Sequence, residues 1–224
     1  PDDSFWIIGG AENSTSSDSA PLRIDRVIWK KNNEVGAKEL GLVETVWVVP
    51  GSSIKGTLRH RSAFHYRRLA GQWAENGLPQ EILDPTEIDN LFGYVRLNTG
   101  GSERMITPEE VAGPGKVFID DVLAPAGIKQ APIQNHVAID RILGGAMDHL
   151  LFDDEPLKGG KIEFSIWLAD PDAISSWMRK AFELALDDLC HGRLSLGAHS
   201  GRGYGYFKGS HSMLQPTPEL SHHE

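Results

Sequence analysis

The chain has 224 residues, and its 22 basic and 31 acidic side chains give a formal net charge of −9 at pH 7. Apolar residues make up 40% and charged residues 24%, as in ordinary globular proteins, and no apolar run approaches the roughly 20 residues of a membrane helix. The single cysteine, Cys190, excludes a disulfide framework within the chain and a zinc site built from several cysteines, and it favours a reducing, cytoplasmic location. Taken alone, the acidic balance argues against a nucleic-acid-binding protein.

The first half of the chain predicts short strands followed by a long helix. Predicted strands cover residues 5–8, 21–29 (an edge strand) and 43–49, and the polar stretches 11–20 and 30–41 between them are predicted loops. After the Pro50-Gly51 turn, Ser52 or Ser53 can cap a helix that runs to about residue 73. Short helical turns follow within residues 79–92, starting near Thr86, and then a loop at 97–115 and a strand at 116–123.

The second half begins with a segment that we expect to leave the core, which we call the excursion, and it ends in a helix and a strand. Residues 124–160 lack clear periodicity, whereas residues 161–168 alternate as a strand does. Asp170-Pro171 predicts a helix start, and that helix ends at Gly192. Residues 192–205 form a predicted glycine-rich loop before a last strand at 204–208.

This order of elements predicts an α+β fold with a ferredoxin-like (βαββαβ) core and large loop insertions. We expect one domain over residues 1–214, with a first strand that is cut short, and a disordered tail at 215–224. The shortened first strand is typical either of a domain taken from a longer fused protein or of a chain that lacks upstream residues.

The segment after Pro50 combines several features of an anion site. A helix N-terminus is predicted there beside the hydroxyls of Ser52 and Ser53 and the cations Lys55 and Arg59, an arrangement that suits an anion such as a phosphate. Residues 55–68 carry five basic side chains and no acidic one, so the overall charge of −9 conceals a basic strip. A solvated helix face after an ordinary capped turn explains the same residues equally well.

The glycine-rich segment near the C-terminus is a second candidate. Glycine permits close approach of the backbone to a ligand at Gly201 and Gly203, while Arg202 offers a phosphate contact and Tyr204 a stacking face. A tight loop between a helix and a strand is the simpler explanation. The segment is neither a Walker loop nor a dinucleotide fingerprint, because no Lys-Ser/Thr pair follows it and it precedes a strand.

Two further segments carry polar residues whose role the sequence leaves open. His136, Arg141 and His149 can contact RNA or can be polar points on a surface hairpin. The acidic run 153–155 can hold a metal ion but is more typical of a solvated turn, so we predict no metal site there. A loop aspartate such as Asp18 can activate a ribose 2′-hydroxyl or bind a divalent cation, although loop aspartates are common.

Taken in order, five segments resemble the RAMP superfamily of CRISPR effector proteins, and in particular the backbone subunits of type III systems (the seventh Cas family). They are PGSSIKGTLRHR, LFG, GKVFIDDVL, HVAIDRILGGAMDHLLFDDEP and GRLSLGAHSGRGYG, and the resemblance covers about residues 5–208. It implies an RRM-like core with a thumb-like insertion at 136–152 that displaces a base of the guide–target duplex. The implied partners are a guide RNA, a complementary target RNA, and other effector subunits or copies of the chain itself in a filament.

The resemblance also implies residue roles. The residues that it implies contact the guide RNA are Ser52, Ser53, Lys55, Arg59, Gly201, Arg202 and Gly203. In members that cut target RNA, a loop aspartate lies between an Ile-Gly-Gly motif and the PGSS turn, which here indicates Asp18 first and Asp25 second. That role implies Mg²⁺ or another divalent cation and products with 2′,3′-cyclic phosphate ends.

Two other functions remain open on the sequence. The chain can be a structural subunit that binds RNA without cutting it, or a nuclease that processes precursor guide RNA with His60 and His65 as candidate general bases. The loop around Asp18 is longer and richer in serine than is usual in the family, and the cysteine-rich zinc knuckle of some fused relatives does not occur.

Overall fold

A computed structural model describes residues 4–9, 17–30, 40–71, 85–95 and 112–213. The predicted tail at 215–224, the start of the predicted helical turns at 79–92 and most of the predicted loops at 11–20, 30–41 and 97–115 lie outside these residues.

Within the described residues the chain forms three α-helices and fourteen strands, so the predicted α+β class is confirmed. The helices are α1 (Gly51–Leu69), α2 (Thr86–Phe92) and α3 (Ser176–Cys190). The strands are β1 (Phe5–Trp6), β2 (Arg23–Lys30), β3 (Leu40–Val49), β4 (Tyr94–Val95), β5 (Ala112–Gly113), β6 (Val117–Ile119), β7 (Val122–Leu123), β8 (Ala126–Gln130), β9 (Gln134–Ile139), β10 (Ala146–Asp154), β11 (Leu157–Lys161), β12 (Ile166–Leu168), β13 (His191–Ser195) and β14 (Tyr206–Lys208).

The strands pair antiparallel in small sheets. The two larger ones run β2-β3-β7 and β1-β11-β8, and the pairs β9–β10, β6–β12, β13–β14 and β4–β5 complete the set among the described residues. The predicted edge position of β2 is confirmed, because β2 pairs only with β3 within the described part of the chain.

Although β1 is short, it lies at the centre of the fold. It pairs with β11 on one side, and on the other the carbonyls of Phe5 and Ile7 accept the backbone N–H groups of Gly205 and Ala198. The Trp6 side chain is 1% exposed. Segments from the second half of the chain therefore enclose the first strand.

The start of α1 differs from the prediction. The helix begins at Gly51, with Pro50 at the N-cap position, so Ser52 and Ser53 lie inside the first turn and do not cap it. The carboxylate of Asp121, between β6 and β7, accepts the Gly51 N–H at 2.8 Å instead. Glycine is required at this position because a Cβ on Gly51 would lie 2.1 Å from the carbonyl oxygen of Ile119.

The predicted start of the last helix at Asp170-Pro171 is also wrong. Pro171 begins a single 3₁₀ turn, and α3 starts only at Ser176, where the Ser175 hydroxyl accepts the N–H of Met178 at 3.2 Å. The Ser175 hydroxyl bonds a backbone N–H of the first turn as an N-cap does, whereas Asp170 has φ +49° and its side chain makes no capping bond.

The glycine-rich segment contains a strand that the sequence analysis did not predict. β13 follows α3 directly and pairs with β14, with an irregular register between His191 and Ser195. The density of glycines concealed it, since glycine is depleted in strands.

The predicted excursion at 124–160 contains four strands. β8 and β11 pair with each other, and between them β9 and β10 form a hairpin with a bulge after Ala146. The excursion ends earlier than predicted, because Leu157 is fully buried and β11 pairs with β1. The predicted strand at 161–168 is correspondingly two strands, the end of β11 and β12.

The hydrophobic core lies between α1, α3 and the inner faces of the strands. It includes Ile54 and Leu58 from α1 and Met178, Ala181 and Ala185 from α3, each at most 1% exposed. None of the helices in the described part of the chain is long and apolar enough to cross a membrane.

Candidate nucleic-acid interface

A buried carboxylate organises the polar surface near the C-terminal end of β10. Asp154 is 1% exposed, and its Oδ2 accepts a hydrogen bond from Arg202 Nη1 at 2.6 Å. His136 Nε2 lies 2.8 Å from Oδ2 and His199 Nε2 3.2 Å from Oδ1, both within ion-pair distance but without hydrogen-bond alignment. We call these four residues the Asp154 cluster. It fastens the β9–β10 hairpin to the loop between β13 and β14.

The segment that carries Asp18 is attached to the same place. Ser19 forms a parallel bridge with Asp154, and the Glu155 N–H donates to the Ser19 carbonyl at 2.8 Å. Asp18 and Asp153 bond reciprocally: the Asp18 N–H donates to Asp153 Oδ1 at 2.9 Å, and the Asp153 N–H donates to Asp18 Oδ2 at 3.0 Å. The exposed Asp18 carboxylate is therefore held beside the Asp154 cluster.

Aromatic rings support this cluster from one side. The His136 ring stacks on Phe152 with centroids 5.2 Å apart, and the Arg202 guanidinium lies 4.7 Å from the Phe152 ring centroid. Tyr204 is 7% exposed and contacts the rings of Phe5 and His199 edge-on. Burial, followed by the nearby charge of Asp154, raises the pKa of Tyr204. In this conformation Tyr204 stabilises the loop and presents no open ring face.

The acidic run 153–155 differs from the solvated turn that the sequence indicated. Asp154 and Glu155 are both buried, and Glu155 accepts hydrogen bonds from Arg23, at 2.5 Å, and from Gln130. Sequence reasoning missed these residues because their partners lie far along the chain. The only local sign was the apolar surroundings, with Phe152 before the run and Pro156-Leu157 after it.

The last loop contains glycines of two kinds. Gly201 and Gly203 have open space where a Cβ would stand, so the backbone there is accessible to a ligand. Gly197 has φ +90°, and a Cβ on it would lie 2.0 Å from the Ile7 carbonyl oxygen.

Gly197→Ala is expected to lower the free energy of unfolding by at least about 2 kcal/mol, because positive φ strain adds to a backbone clash. Gly201→Ala is the matched control and is expected to leave stability within about 0.5 kcal/mol of the wild type. Urea unfolding followed by circular dichroism measures both. Equal stability of the two variants would contradict the packing of this loop against β1.

Some basic side chains of the strip on α1 form ion pairs within the protein. Arg59 Nη2 lies 2.7 Å from Asp89 Oδ1 and its Nη1 donates to the Gly93 carbonyl, which ties α1 to α2. Arg61 Nε donates to Asp188 Oδ2 at 2.5 Å. Arg59 and Arg61 thus have carboxylate partners within the fold, and fewer charges remain for an external anion than the sequence indicated.

Lys55 and Ser52 lie at the accessible start of α1. Ser52 is exposed and Ser53 half-buried, while Lys55 Nζ lies 5.9 Å from the ring centroid of Phe118. Burial, followed by the charge of Arg59, lowers the pKa of Lys55. Asp121 occupies the backbone N–H of Gly51, so a ligand at this turn would be bound by the Ser52 hydroxyl and the Lys55 ammonium.

The two candidate histidines of α1 have different surroundings. His65 is 3% exposed, and its Nε2 lies 2.7 Å from Asp188 Oδ2, so it is a structural residue of the helix interface. His60 is exposed. The pair does not form a shared site.

The remaining predicted residues lie apart from the Asp154 cluster. Asp25 is within β2, and its Oδ1 accepts the Thr45 hydroxyl at 2.5 Å across the β2–β3 pair, so it belongs to a strand. Arg141 is exposed at the tip of the β9–β10 hairpin, beside Ile142 and Leu143, which are 93% and 84% exposed. The side chain of His149 lies outside the described part of the structure.

The tip is shaped by Asp140. Its Oδ1 accepts the backbone N–H groups of Ile142 and Leu143 at 2.7 and 3.0 Å, and these bonds, that of Leu143 first, lower the pKa of Asp140. The turn therefore keeps a fixed shape while its apolar side chains face solvent.

Comparisons with known proteins identify the family to which this chain belongs. No curated protein matches the sequence. A solved structure titled "Type IV-B CRISPR Complex" aligns over 97% of this chain and 92% of its own, at 13% identity and a TM-score of 0.47. The model of the RAMP superfamily matches residues 4–208, which is nearly all of the described structure and contains every segment of the site. The chain belongs to the RAMP superfamily.

Proposed function

We propose that this protein is a guide-RNA-binding backbone subunit of a type III CRISPR effector and that it cleaves the complementary target RNA. Membership of the RAMP superfamily supports the effector role, together with the resemblance of its motifs to type III backbone subunits. The observation that carries the proposal is the Asp154 cluster, which brings the Asp18 segment, the β9–β10 hairpin and the glycine-rich loop to one place. A ferredoxin-like core beneath this surface is part of the same proposal.

Guide binding is assigned to two surfaces. The first turn of α1 offers the Ser52 hydroxyl and the Lys55 ammonium to phosphates, and the open backbone at Gly201 and Gly203 offers a second approach. Arg202 serves mainly as the link to Asp154, although a third of its side chain stays exposed. Neighbouring effector subunits or further copies of the chain extend these surfaces along the RNA.

Cleavage is assigned to Asp18. A target 2′-hydroxyl that loses its proton attacks the adjacent phosphorus, and the bond to the 5′-oxygen of the next nucleotide breaks. That oxygen takes a proton from solvent water, which leaves a 2′,3′-cyclic phosphate and a 5′-hydroxyl. Asp18 can orient that hydroxyl or accept its proton, because its carboxylate is exposed and fixed by Asp153.

The donors at Asp18 fit a divalent cation of the magnesium type. Mg²⁺ prefers carboxylate oxygens and commonly uses one or two of them together with substrate phosphates. Asp18 and Asp153 would hold it, and the described residues contain no cluster of three or more metal-ligating side chains. When bound, the cation supplies positive charge that stabilises the charge developing on the phosphate.

The decisive experiment replaces Asp18. In an assembled effector, Asp18→Asn is expected to lower the cleavage rate of labelled target RNA by about 10²- to 10⁴-fold. RNA affinity stays unchanged, because asparagine keeps an oxygen that can accept the Asp153 N–H. Gel analysis of the products under Mg²⁺ measures the rate.

Asp25→Asn is the matched control, since Asp25 is also an exposed aspartate and lies in β2, the strand that follows the Asp18 segment. It is expected to cut at the wild-type rate. Undiminished cutting by Asp18→Asn, or loss of cutting by Asp25→Asn, would move the catalytic role away from Asp18.

A non-cleaving structural subunit is the second candidate, and one observation favours it. The reciprocal bonds of Asp18 and Asp153 fasten the loop to β10, so they explain Asp18 without catalysis. A wild-type complex that binds target RNA under Mg²⁺ or Mn²⁺ and yields no product would establish this alternative. A precursor-processing role is disfavoured, because His65 is buried against Asp188.

A further inference from the structure

Two large aromatic side chains stand uncovered on the β6–β12 pair. Phe118 and Trp167 are direct partners in the register of these strands and are 54% and 63% exposed. Their strand neighbours Val117, Ile166 and Leu168 pack toward the core, so both rings lie on the face that points away from it.

The ring pair lies close to the start of α1. Lys55 Nζ is 5.9 Å from the Phe118 ring centroid, which places a cation beside the aromatic surface. The close approach of Gly51 to the Ile119 carbonyl brings the first turn of α1, with its exposed Ser52, against the same end of β6. Aromatic rings, a cation and the exposed Ser52 of the first turn of α1 therefore adjoin, while the Asp121 carboxylate occupies the Gly51 N–H.

We propose that Phe118 and Trp167 form a stacking platform for bases of single-stranded RNA whose phosphates contact Lys55 and the first turn of α1. This inference rests on the proposed function and names a second, base-contacting part of the same interface. Stacking tolerates every base because each has a π-face, which suits a subunit that accepts guides of different sequence.

The extent of the apolar surface favours bases over a protein partner. On the same face, the residues flanking the rings along the two strands are polar or small, namely Lys116, Asp120, Ser165 and Ala169. A stable protein interface buries about 800 Å² on each partner around an apolar centre, whereas two rings match the area of one or two bases.

The test compares binding of the full chain to a fluorescein-labelled oligouridylate and to an abasic oligomer of the same length, by fluorescence anisotropy. Phe118→Ala and Trp167→Ala are each expected to weaken oligouridylate binding about tenfold. Neither is expected to change binding of the abasic oligomer, because only the base contact is lost. Phe118→Tyr and Trp167→Phe are expected to bind within about twofold of the wild type, since they keep a ring.

Trp177→Ala serves as the matched control, because Trp177 is 55% exposed on α3, outside this face. It is expected to bind both oligomers as the wild type does, and circular dichroism melting verifies that each variant folds.

The outcomes separate the two proposals. A wild type that binds neither oligomer contradicts the proposed function itself. A wild type that binds while Phe118→Ala and Trp167→Ala bind equally well overturns the platform alone. Loss of self-association in these variants, seen by light scattering with RNA binding intact, overturns it in favour of a protein-docking face.

Discussion

Asp154→Ala is expected to destabilise the protein by about 3–5 kcal/mol, because it removes the buried carboxylate on which Arg202, His136 and His199 converge. Arg202 would lose the anion that compensates the partial burial of its guanidinium and is expected to swing out of its contact with the Phe152 ring. Urea unfolding at neutral pH, followed by circular dichroism, measures the loss.

The same substitution is expected to lower the rate of target cleavage about 100-fold even where the variant still folds. Asp154 Oδ1 lies 3.2 Å from His199 Nε2, and the same ring nitrogen lies 3.3 Å from the Ser19 hydroxyl, so the carboxylate helps to position the segment that carries Asp18. Catalytic groups displaced by about 1 Å commonly lose a factor of about 100 in rate. Asp154→Asn is expected to be milder, since an amide still accepts the Arg202 bond but carries no charge.

Glu163→Ala provides the control for Asp154→Ala. Glu163 is an exposed carboxylate that bonds Lys161 at 2.8 Å, and such surface pairs add little to stability. It is expected to leave unfolding and cleavage unchanged. An Asp154→Ala protein as stable as Glu163→Ala would refute the role of the cluster.

The local elements of this fold were largely predictable. Alternating apolar residues indicated β12, and apolar residues at helical spacing indicated α3, because periodicity reports directly which side of an element faces the core. The predicted ends of elements were wrong where the contact that sets the end comes from a residue distant in the sequence. The carboxylate that accepts the first N–H of α1 belongs to Asp121, 70 positions from Gly51, and no pattern near Ser52 reveals it.

The candidate site was predictable in its pieces and not in its assembly. The sequence placed Asp18, His136 and Arg202 in three segments, and the fold joins them through Asp154. That residue looked like part of a solvated acidic turn, since its partner Arg202 lies 48 positions away. Charge patterns along a chain cannot tell which cations pair internally.

The basic strip illustrates the same limit. Segregation of charge on α1 is real, yet Arg61 points to a carboxylate of α3 and Arg59 to one of α2. Asp188, the partner of Arg61, also accepts bonds from His65 at 2.7 Å and Arg193 at 2.6 Å. One acidic residue thus holds α1, α3 and β13 together.

Asp188→Ala is accordingly expected to cost about 3–5 kcal/mol in the free energy of unfolding, since it leaves the buried His65 and two arginines without their anion. Unlike Asp154, Asp188 bonds Arg61, His65 and Arg193 and none of the residues that hold the Asp18 segment, so residual folded protein is expected to keep its cleavage rate. Urea unfolding and the cleavage assay on the folded fraction separate the two effects.

The stabilisation by Asp188 also carries a pH signature. Burial alone would raise the pKa of this carboxyl, but hydrogen bonds from Arg193, His65 and Arg61 outweigh it and lower the pKa from 3.8 to about 2. A carboxyl with a lowered pKa in the folded state stabilises fully above its unfolded pKa and loses that contribution as pH falls through the folded value. The shift corresponds to about 2 kcal/mol.

Between about pH 4 and pH 2, the wild type is therefore expected to lose about 2 kcal/mol more stability than Asp188→Asn, whose amide does not titrate. Denaturant unfolding of both proteins across this window gives the difference directly, because the other carboxyl groups titrate in each. A constant difference over the window would mean that the arginines do not hold Asp188 ionised. A difference that closes as pH falls would identify this ion cluster as the acid-sensitive junction between the two long helices.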